Sequence, residues 1–348
     1  MEPLWYGIVF GMLAVYAVLD GFDFGAGIVH MFVARTNTER RTVLAAIGPV
    51  WDGNEVWLIA GGGVLFMAFP RAYSAYLSGF YLPLMIVLWL LILRGVAIEM
   101  RGHHDNPLWR DFWDAVFSLS STLLAVVLGA SLGNVVRGAP LGAQGFFAMP
   151  LFTDFRPGPQ PGVFDWYTLL VAGFVLCLLT GHGALYLVWK TSGPVQERSR
   201  RCARHAWRSA IPLWGLATAA TLWLRPQIFN TLFAAPWRVL FLVVMLASLY
   251  GVFHHLAGRS ELRAFLSSSV FILTLFASTM TGSYPVLLRS TLDPAHHLTA
   301  ANCLARHAGL QVALAWWSAG IALAAAYFAF LFYAIRGKVI ADDDGPGY

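Results

Sequence analysis

The sequence predicts an all-α polytopic membrane protein, and three features carry that prediction. Hydrophobic residues make up 58% of the 348 positions and charged residues only 12%, about half the charged share of soluble domains. Mean hydropathy is +0.64. The apolar residues gather in nine runs long enough to cross a hydrocarbon core of about 30 Å. The net charge of +5 reflects short basic loops, as membrane topology requires, and gives no argument for nucleic acid. Cys177, Cys202 and Cys303 have no disulfide or metal spacing.

The first run, Leu4–Ala34, has no positive leader of a signal peptide and reads as a span. Its centre, Asp20-Gly21-Phe22-Asp23-Phe24-Gly25-Ala26-Gly27, puts both acids on one face, because three residues turn about 300°. Gly21 and Gly25, four apart, permit close helix contact. The second run, Thr42–Phe69, follows the water-facing Glu39-Arg40-Arg41 and reads as one helix. It contains Trp51-Asp52-Gly53-Asn54-Glu55-Val56-Trp57. Counted from Arg41, Asp52 lies roughly 16 Å into the span and Glu55 roughly 21 Å. Counted back from Arg35, Asp23 lies roughly 18 Å in and Asp20 roughly 22 Å. The helices run antiparallel, so these depths pair Asp23 with Asp52 and Asp20 with Glu55. Four carboxylates at two levels of a dry site cannot all be ionised. Some are protonated, or they bind cations, or basic groups from elsewhere compensate them. Ionisable groups at such depth are functional by default; hydrogen bonding to a neighbouring helix is the structural alternative.

The third and fourth runs are Ala72–Glu99 and Leu108–Val136. Asp111 reads as a helix N-terminal charge favoured by the dipole. Asp114 sits one turn deeper, ahead of Ser118, Ser120 and Ser121. A path from water past Asp114 to Asp52 and Asp23 has the form of a proton relay, with interhelical hydrogen bonding again the alternative. The proline-rich stretch Arg137–Gly162 reads as an ordered outer loop. The later runs are Val163–Lys190, His205–Leu224, Trp237–Leu256, Arg263–Thr281 and Gly309–Ile335. The basic stretch Thr191–Arg204 reads as a loop on anionic headgroups, and Thr281–Ala308 as a partly helical outer loop.

Lys and Arg concentrate after the odd-numbered runs and in the tail, with Arg35, Arg40, Arg41, Arg94 and Arg101 counted on that side. The N-terminus is therefore expected outside and the C-terminus in the cytoplasm. A weak parallel repeat relates Leu19-Asp20-Gly21-Phe22-Asp23, Pro49 and Trp51 to Leu179-Thr180-Gly181-His182-Gly183, Pro212 and Trp214. It suggests two four-helix bundles plus one peripheral helix. The expected division is 1–138, first unit; 139–162, outer loop; 163–284, second unit; 285–308, outer loop; 309–336, ninth helix; and 337–348, cytoplasmic tail. His30 and His182 lie near cytoplasmic ends, and no helix pair offers histidines at matched depths, so few or no haem ligands are expected here. Most tryptophans fall at span ends, as belt residues do. Trp51 and Trp57 lie deeper, packing on a partner or lining a small apolar channel.

Several of these segments together resemble subunit 2 of the cytochrome bd-type quinol oxidases. They are Asp20-Gly21-Phe22-Asp23-Phe24-Gly25, Thr38-Glu39-Arg40-Arg41, Trp51-Asp52-Gly53-Asn54-Glu55-Val56-Trp57-Leu58, Ala75-Tyr76-Leu77-Ser78-Gly79-Phe80-Tyr81, Trp109-Arg110-Asp111-Phe112-Trp113-Asp114 and Gly133-Asn134-Val135-Val136-Arg137-Gly138. The short length and Phe-rich outer loop are similar to the cyanide-insensitive branch. The resemblance implies a bacterial inner (cytoplasmic) membrane, a heterodimer with a nine-helix subunit 1, and haem b and haem d ligated by that partner. The complex would oxidise quinol and reduce dioxygen to water, taking protons from the cytoplasm. Asp52 would belong to the proton route, with Asp23 and Asp114 near the haem-facing interface and Asp20 and Glu55 beside them. Trp57, with Trp51, would lie near a dioxygen route. A small accessory subunit, lipid and quinone are further partners the resemblance leaves room for. The competing reading is a secondary transporter whose helix 1 and helix 2 carboxylates bind a proton or sodium.

Overall fold

A helix that carries two aspartates through lipid needs protein on every side, and the fold supplies it. In the computed structural model, which describes residues 1–339, α1 (Glu2–Val33) is the axis, and every residue from Asp20 through His30 is buried. Around it follow α2 (Asn37–Ile47), α3 (Trp51–Ala68), α4 (Pro70–Gly79), α5 (Tyr81–Met100) and α6 (Pro107–Arg137). The chain continues through α7 (Trp166–Lys190), α8 (Gly193–Leu224), α9 (Pro226–Phe233), α10 (Pro236–Ala257) and α11 (Glu261–Ser283). A small antiparallel pair, β1 (Val286–Leu288) with β2 (Leu298–Thr299), then leads through α12 (Ala300–Cys303) to α13 (His307–Ala334). Helix α1 packs against α3, α6, α7 and α11. Most of the tail expected at 337–348, residues 340–348, lies outside the described residues.

Seven of these helices are long and apolar enough to cross a membrane: α1, α5, α6, α7, α10, α11 and α13. Three of the nine runs differ from the continuous spans expected. The second breaks at residues 48–50, between α2 and α3, because Pro49 has no amide donor and its ring disfavours the preceding turn. A capping box closes the start of α2, with Thr36 and Glu39 satisfying each other's backbone amides. The third run divides at Phe80 into short α4 and long α5. The sixth starts twelve residues early, so the basic stretch 191–204 is largely the opening of α8 and not a loop. Proline near the first turn and helix-forming Arg and Ala favour that outcome. The polar openings of α3 and α8 also keep both helices from reading as spans on composition alone.

Helices α1 and α7 cross with their backbones in contact. A Cβ on Gly25 would overlap the Leu179 carbonyl, and one on Gly183 would overlap the Gly25 backbone. This is the close contact that small residues permit between membrane helices, and its partner is α7. The same local geometry ends α3 and α8. Phe69 (φ −134°, ψ 61°) precedes Pro70 at the start of α4, and Arg225 (φ −140°, ψ 62°) precedes Pro226 at the start of α9.

The loop between α6 and α7 is ordered by a buried knot. Arg137 donates to Asp165, to the Gly162 carbonyl and to Asn134, while Asn134 donates to the Val163 carbonyl. Helix α13 lies apart, with Leu310 its one buried residue. Its contacts include Trp317 Nε1 donating to Met12 Sδ at 3.5 Å, and Phe328 against Trp57 with ring centroids 5.9 Å apart. Just past its end, Lys190 Nζ donates to the Ile335 and Gly337 carbonyls.

Candidate functional site

Two charged clusters lie along α1. The deeper one joins α1, α3 and α5. Arg94 Nη1 donates to Asp20 Oδ1 at 2.5 Å and Arg94 Nη2 to Glu55 Oε2 at 2.9 Å, while its guanidinium stands 4.5 Å over the Phe24 ring. Asp20 and Arg94 are fully buried; the Glu55 side chain keeps 23% of its surface exposed. Asn54 Nδ2 donates to Asp23 Oδ2 at 2.8 Å and reaches the Leu19 carbonyl at 3.3 Å. An ion pair this deep holds only if the geometry is good and the remaining polar atoms are satisfied. Here one guanidinium faces Asp20, Glu55 and the nearby Asp23.

The second cluster gathers at the C-terminal end of α1. Asp114 accepts from Arg101 Nε at 2.6 Å, Arg101 Nη2 at 3.1 Å and Arg40 Nη1 at 2.9 Å, and lies 2.6 Å from His30 Nε2. Arg101 also donates to Asn37, and Arg40 to Asp111 at 2.5 Å. His30 and Asp114 are fully buried, whereas the Asp111 side chain is 64% exposed. Asp111 is thus an ion-pair partner as well as a charge near a helix start. It links the buried cluster to water.

The structure brings Asp20, Asp23 and Glu55 together, as the depth argument expects. The pairing of Asp20 with Glu55 holds, and Arg94 is the compensating base. The pairing of Asp23 with Asp52 does not. Asn54 takes that place, because Asp52 is two residues, about 200°, around α3 from the face that meets α1. Asp52 is exposed and has no side-chain hydrogen bond or ion pair among the described residues. Asp114 is held among two arginines and a histidine. Trp51 packs on Gly95 of α5, and Trp57 on α13.

Arg94 is the largest correction: counted with the cytoplasmic loops, it lies inside α5 and is fully buried. The signal was its apolar surroundings, Leu90 to Ile98, which place it about 10 Å inside Arg101. Asn54 and His30 were readable only as neighbours of the acids. His182 spends both ring nitrogens, one 2.7 Å from Ser268 Oγ and one 3.0 Å from the Val18 carbonyl, and His30 Nε2 is held by Asp114.

Fold and site define a multi-pass helical membrane protein with a charged interior. The family model for cytochrome bd terminal oxidase subunit II matches residues 1–335, and the chain belongs to that family. It is similar to cytochrome bd ubiquinol oxidase subunit 2 of Bacillus subtilis (strain 168), 30% identical over 312 residues, covering 90% of this chain and 89% of that one. It is 34% identical over 214 residues to cytochrome bd-I ubiquinol oxidase subunit 2 of Escherichia coli (strain K12), covering 62% of this chain and 55% of that one. The bd oxidase structure from Geobacillus thermodenitrificans has the same fold, with TM-score 0.74, 18% identity, and coverage of 96% of this chain and 98% of that one. The chain is therefore a subunit of a cytochrome bd quinol oxidase, an oxidoreductase complex that contains haem and a subunit 1 partner. The transporter reading is set aside.

Proposed function

We propose that this subunit completes the terminal oxidase by docking on subunit 1 and supplying protons for the reduction of dioxygen to water at quinol expense. In this reading subunit 1 ligates haem b and haem d, which the engagement of both His182 ring nitrogens supports. The haems supply electron transfer and dioxygen chemistry; this chain orients carboxyl groups, keeps them among protein and moves protons between them. The chain lies in a bacterial cytoplasmic membrane and crosses it nine times, with α3 and α8 completing the set, the N-terminus outside and the C-terminus in the cytoplasm. Residues 1–138 and 163–284 are two repeated four-helix units.

The observation that carries this reading is that the charged interior reaches the surface twice. One opening is at Arg40 and Asp111, at the end read as cytoplasmic. The other is at the part-exposed Glu55, on the face of α3 that also presents Asp52, and beside it Val56 and Ile59 are exposed. Asp52 then lines the joint between subunits, with Asp20, Asp23, Asp114 and Glu55 inside, and Trp57 and Trp51 border the route for dioxygen. Asp52→Asn in the purified complex tests the surface part. Assembly and haem content should be retained while quinol oxidase turnover per haem falls about a hundredfold, the lower end for loss of a proton-transfer group. Turnover near wild type would remove Asp52 from proton delivery.

A further inference from the structure

The two clusters are joined by a line of unsatisfied polar atoms on one face of α1. Tyr16, Asp20, Asp23, Gly27 and His30 are spaced by four, three, four and three residues, the repeat that keeps side chains on a single stripe. The stripe is about 21 Å long. At Gly27 no side chain leaves α1, and Ser121 of α6 fills the position, its hydroxyl so close that a Cβ there would overlap Oγ. Ser121 is fully buried and its Oγ has no partner among the described residues. The same is true of His30 Nδ1, Asp23 Oδ1, Asn54 Oδ1 and Arg94 Nε. Buried polar atoms are nearly always hydrogen-bonded to protein or ordered water. Other buried atoms, such as Ser199 Oγ and Ser278 Oγ, also have no partner among the described residues, but those around α1 are aligned in one column.

We infer that Ser121, seated over Gly27, is the middle station of a water-bridged proton route inside this subunit, from the His30–Asp114 cluster to Asp23 and on to Glu55. The inference rests on the proton-supplying role proposed above and specifies its path. Along α1, Gly27 lies about 4.5 Å from the level of His30 and about 6 Å from that of Asp23, gaps that a single water can bridge. Arg40 and Asp111 open the lower end to water. Asn54, Asp20 and Arg94 connect Asp23 to Glu55 at the upper end. A serine hydroxyl accepts one proton and releases another, so each passage leaves it unchanged and needs no redox partner. Arg101 and Arg40 pair with Asp114 beside His30, and Arg94 pairs with Asp20 and Glu55, so Ser121 is the station between two ion-paired clusters.

The test uses the complete complex with subunit 1. Ser121→Ala should assemble with normal haem spectra, lose about tenfold in turnover and show a larger solvent deuterium isotope effect; Ser121→Thr, which keeps a hydroxyl, should restore most of both. Wild-type turnover and isotope effect in Ser121→Ala would overturn the route. High-resolution imaging of the wild-type complex adds a readout that no folding defect can obscure. Ordered water within hydrogen-bond distance of Ser121 Oγ is expected, and a column closed to water would also overturn the inference. Asp23→Asn separates the two levels of argument. If it is slow while Ser121→Ala is normal, interior acids still deliver protons by another path; if Asp23→Asn also turns over normally, the interior part of the proposed role fails with it.

Discussion

The half of the chain from α1 to α6 and the half from α7 to α11 share two local features and differ in their interiors. Each begins with a long helix that crosses the other at a glycine. Each ends a later helix at an extended residue followed by a proline-started short helix. Yet the first half buries Asp20, Asp23, Arg94 and Asp114 within its helices, whereas the corresponding interior of the second is aromatic and hydroxylic. His182 stacks on Phe265 with centroids 5.0 Å apart, Trp189 stacks on the same ring, and Tyr186 stacks on Phe22. The ion pairs of the second half, Asp165 with Arg137 and Arg200 with Glu261, lie at helix ends and not in mid-helix. The mid-helix pairing of Asp20 with Arg94 in the first half argues for chemistry, since it costs more desolvation than apolar packing would.

The sharpest way to break the comparison is at the feature both halves share. Gly25→Val and Gly183→Val should be equally severe, because each drives a side chain into the other helix's backbone. Neither variant should yield complex with subunit 1 on affinity purification, a loss beyond the 4–5 kcal/mol that marks exceptional single mutations. Next come the interiors. Arg94→Met leaves two carboxylates without their base and should cost about 3–5 kcal/mol, visible as a lower unfolding temperature of the purified complex. His182→Gln should cost about 1–2 kcal/mol, roughly two hydrogen bonds, and leave haem content intact. Third, Asp23→Asn should reduce turnover about a hundredfold with little change in stability, while Ser268→Ala in the second half should leave turnover unchanged. Equal turnover losses from both would erase the functional distinction between the halves.

The smallest effect concerns the seam between them. Partial burial raises the Glu39 carboxyl, but the Arg35 and Thr36 amides and Arg198 of α8 outweigh it and hold it below the usual range. A depressed carboxylate stabilises the fold above its unfolded value of about 4.3 and loses that contribution as pH falls through the folded value. Glu39→Gln should therefore cost about 0.5 kcal/mol near neutral pH and nothing at low pH, measured as the difference in unfolding temperature between the two variants.

The membrane class, most helix positions and the acid-bearing stripe of α1 were legible because burial in lipid writes itself into long apolar runs and into rare charges. What escaped was partner choice. Depth along a helix can be counted, which found Asp20 with Glu55, but rotation about a helix that starts after a break cannot. Asp52 was therefore placed inward when the break at Pro49 and the Asn54 contact turn it out. Arg94 escaped because a count of basic residues by loop treats every arginine near a span end as exposed. Ser121 was legible only as one of three serines beyond Asp114, and nothing set it apart until Gly27 was seen beside it.

Asp20 and Arg94 are 74 residues apart in sequence, and this sets a schedule for biogenesis. At about 5–20 residues per second, several seconds pass between the synthesis of α1 and the arrival of its compensating base. A charge at the centre of a lone helix costs about 2.5–3.5 kcal/mol to insert, and α1 has two acids in that position. Until Arg94 arrives Asp20 has no basic partner, and the packing of α1 against α7 and then α11 comes later still. The ion pair is thus also a late step in assembly, after which α1 can no longer slip back toward water.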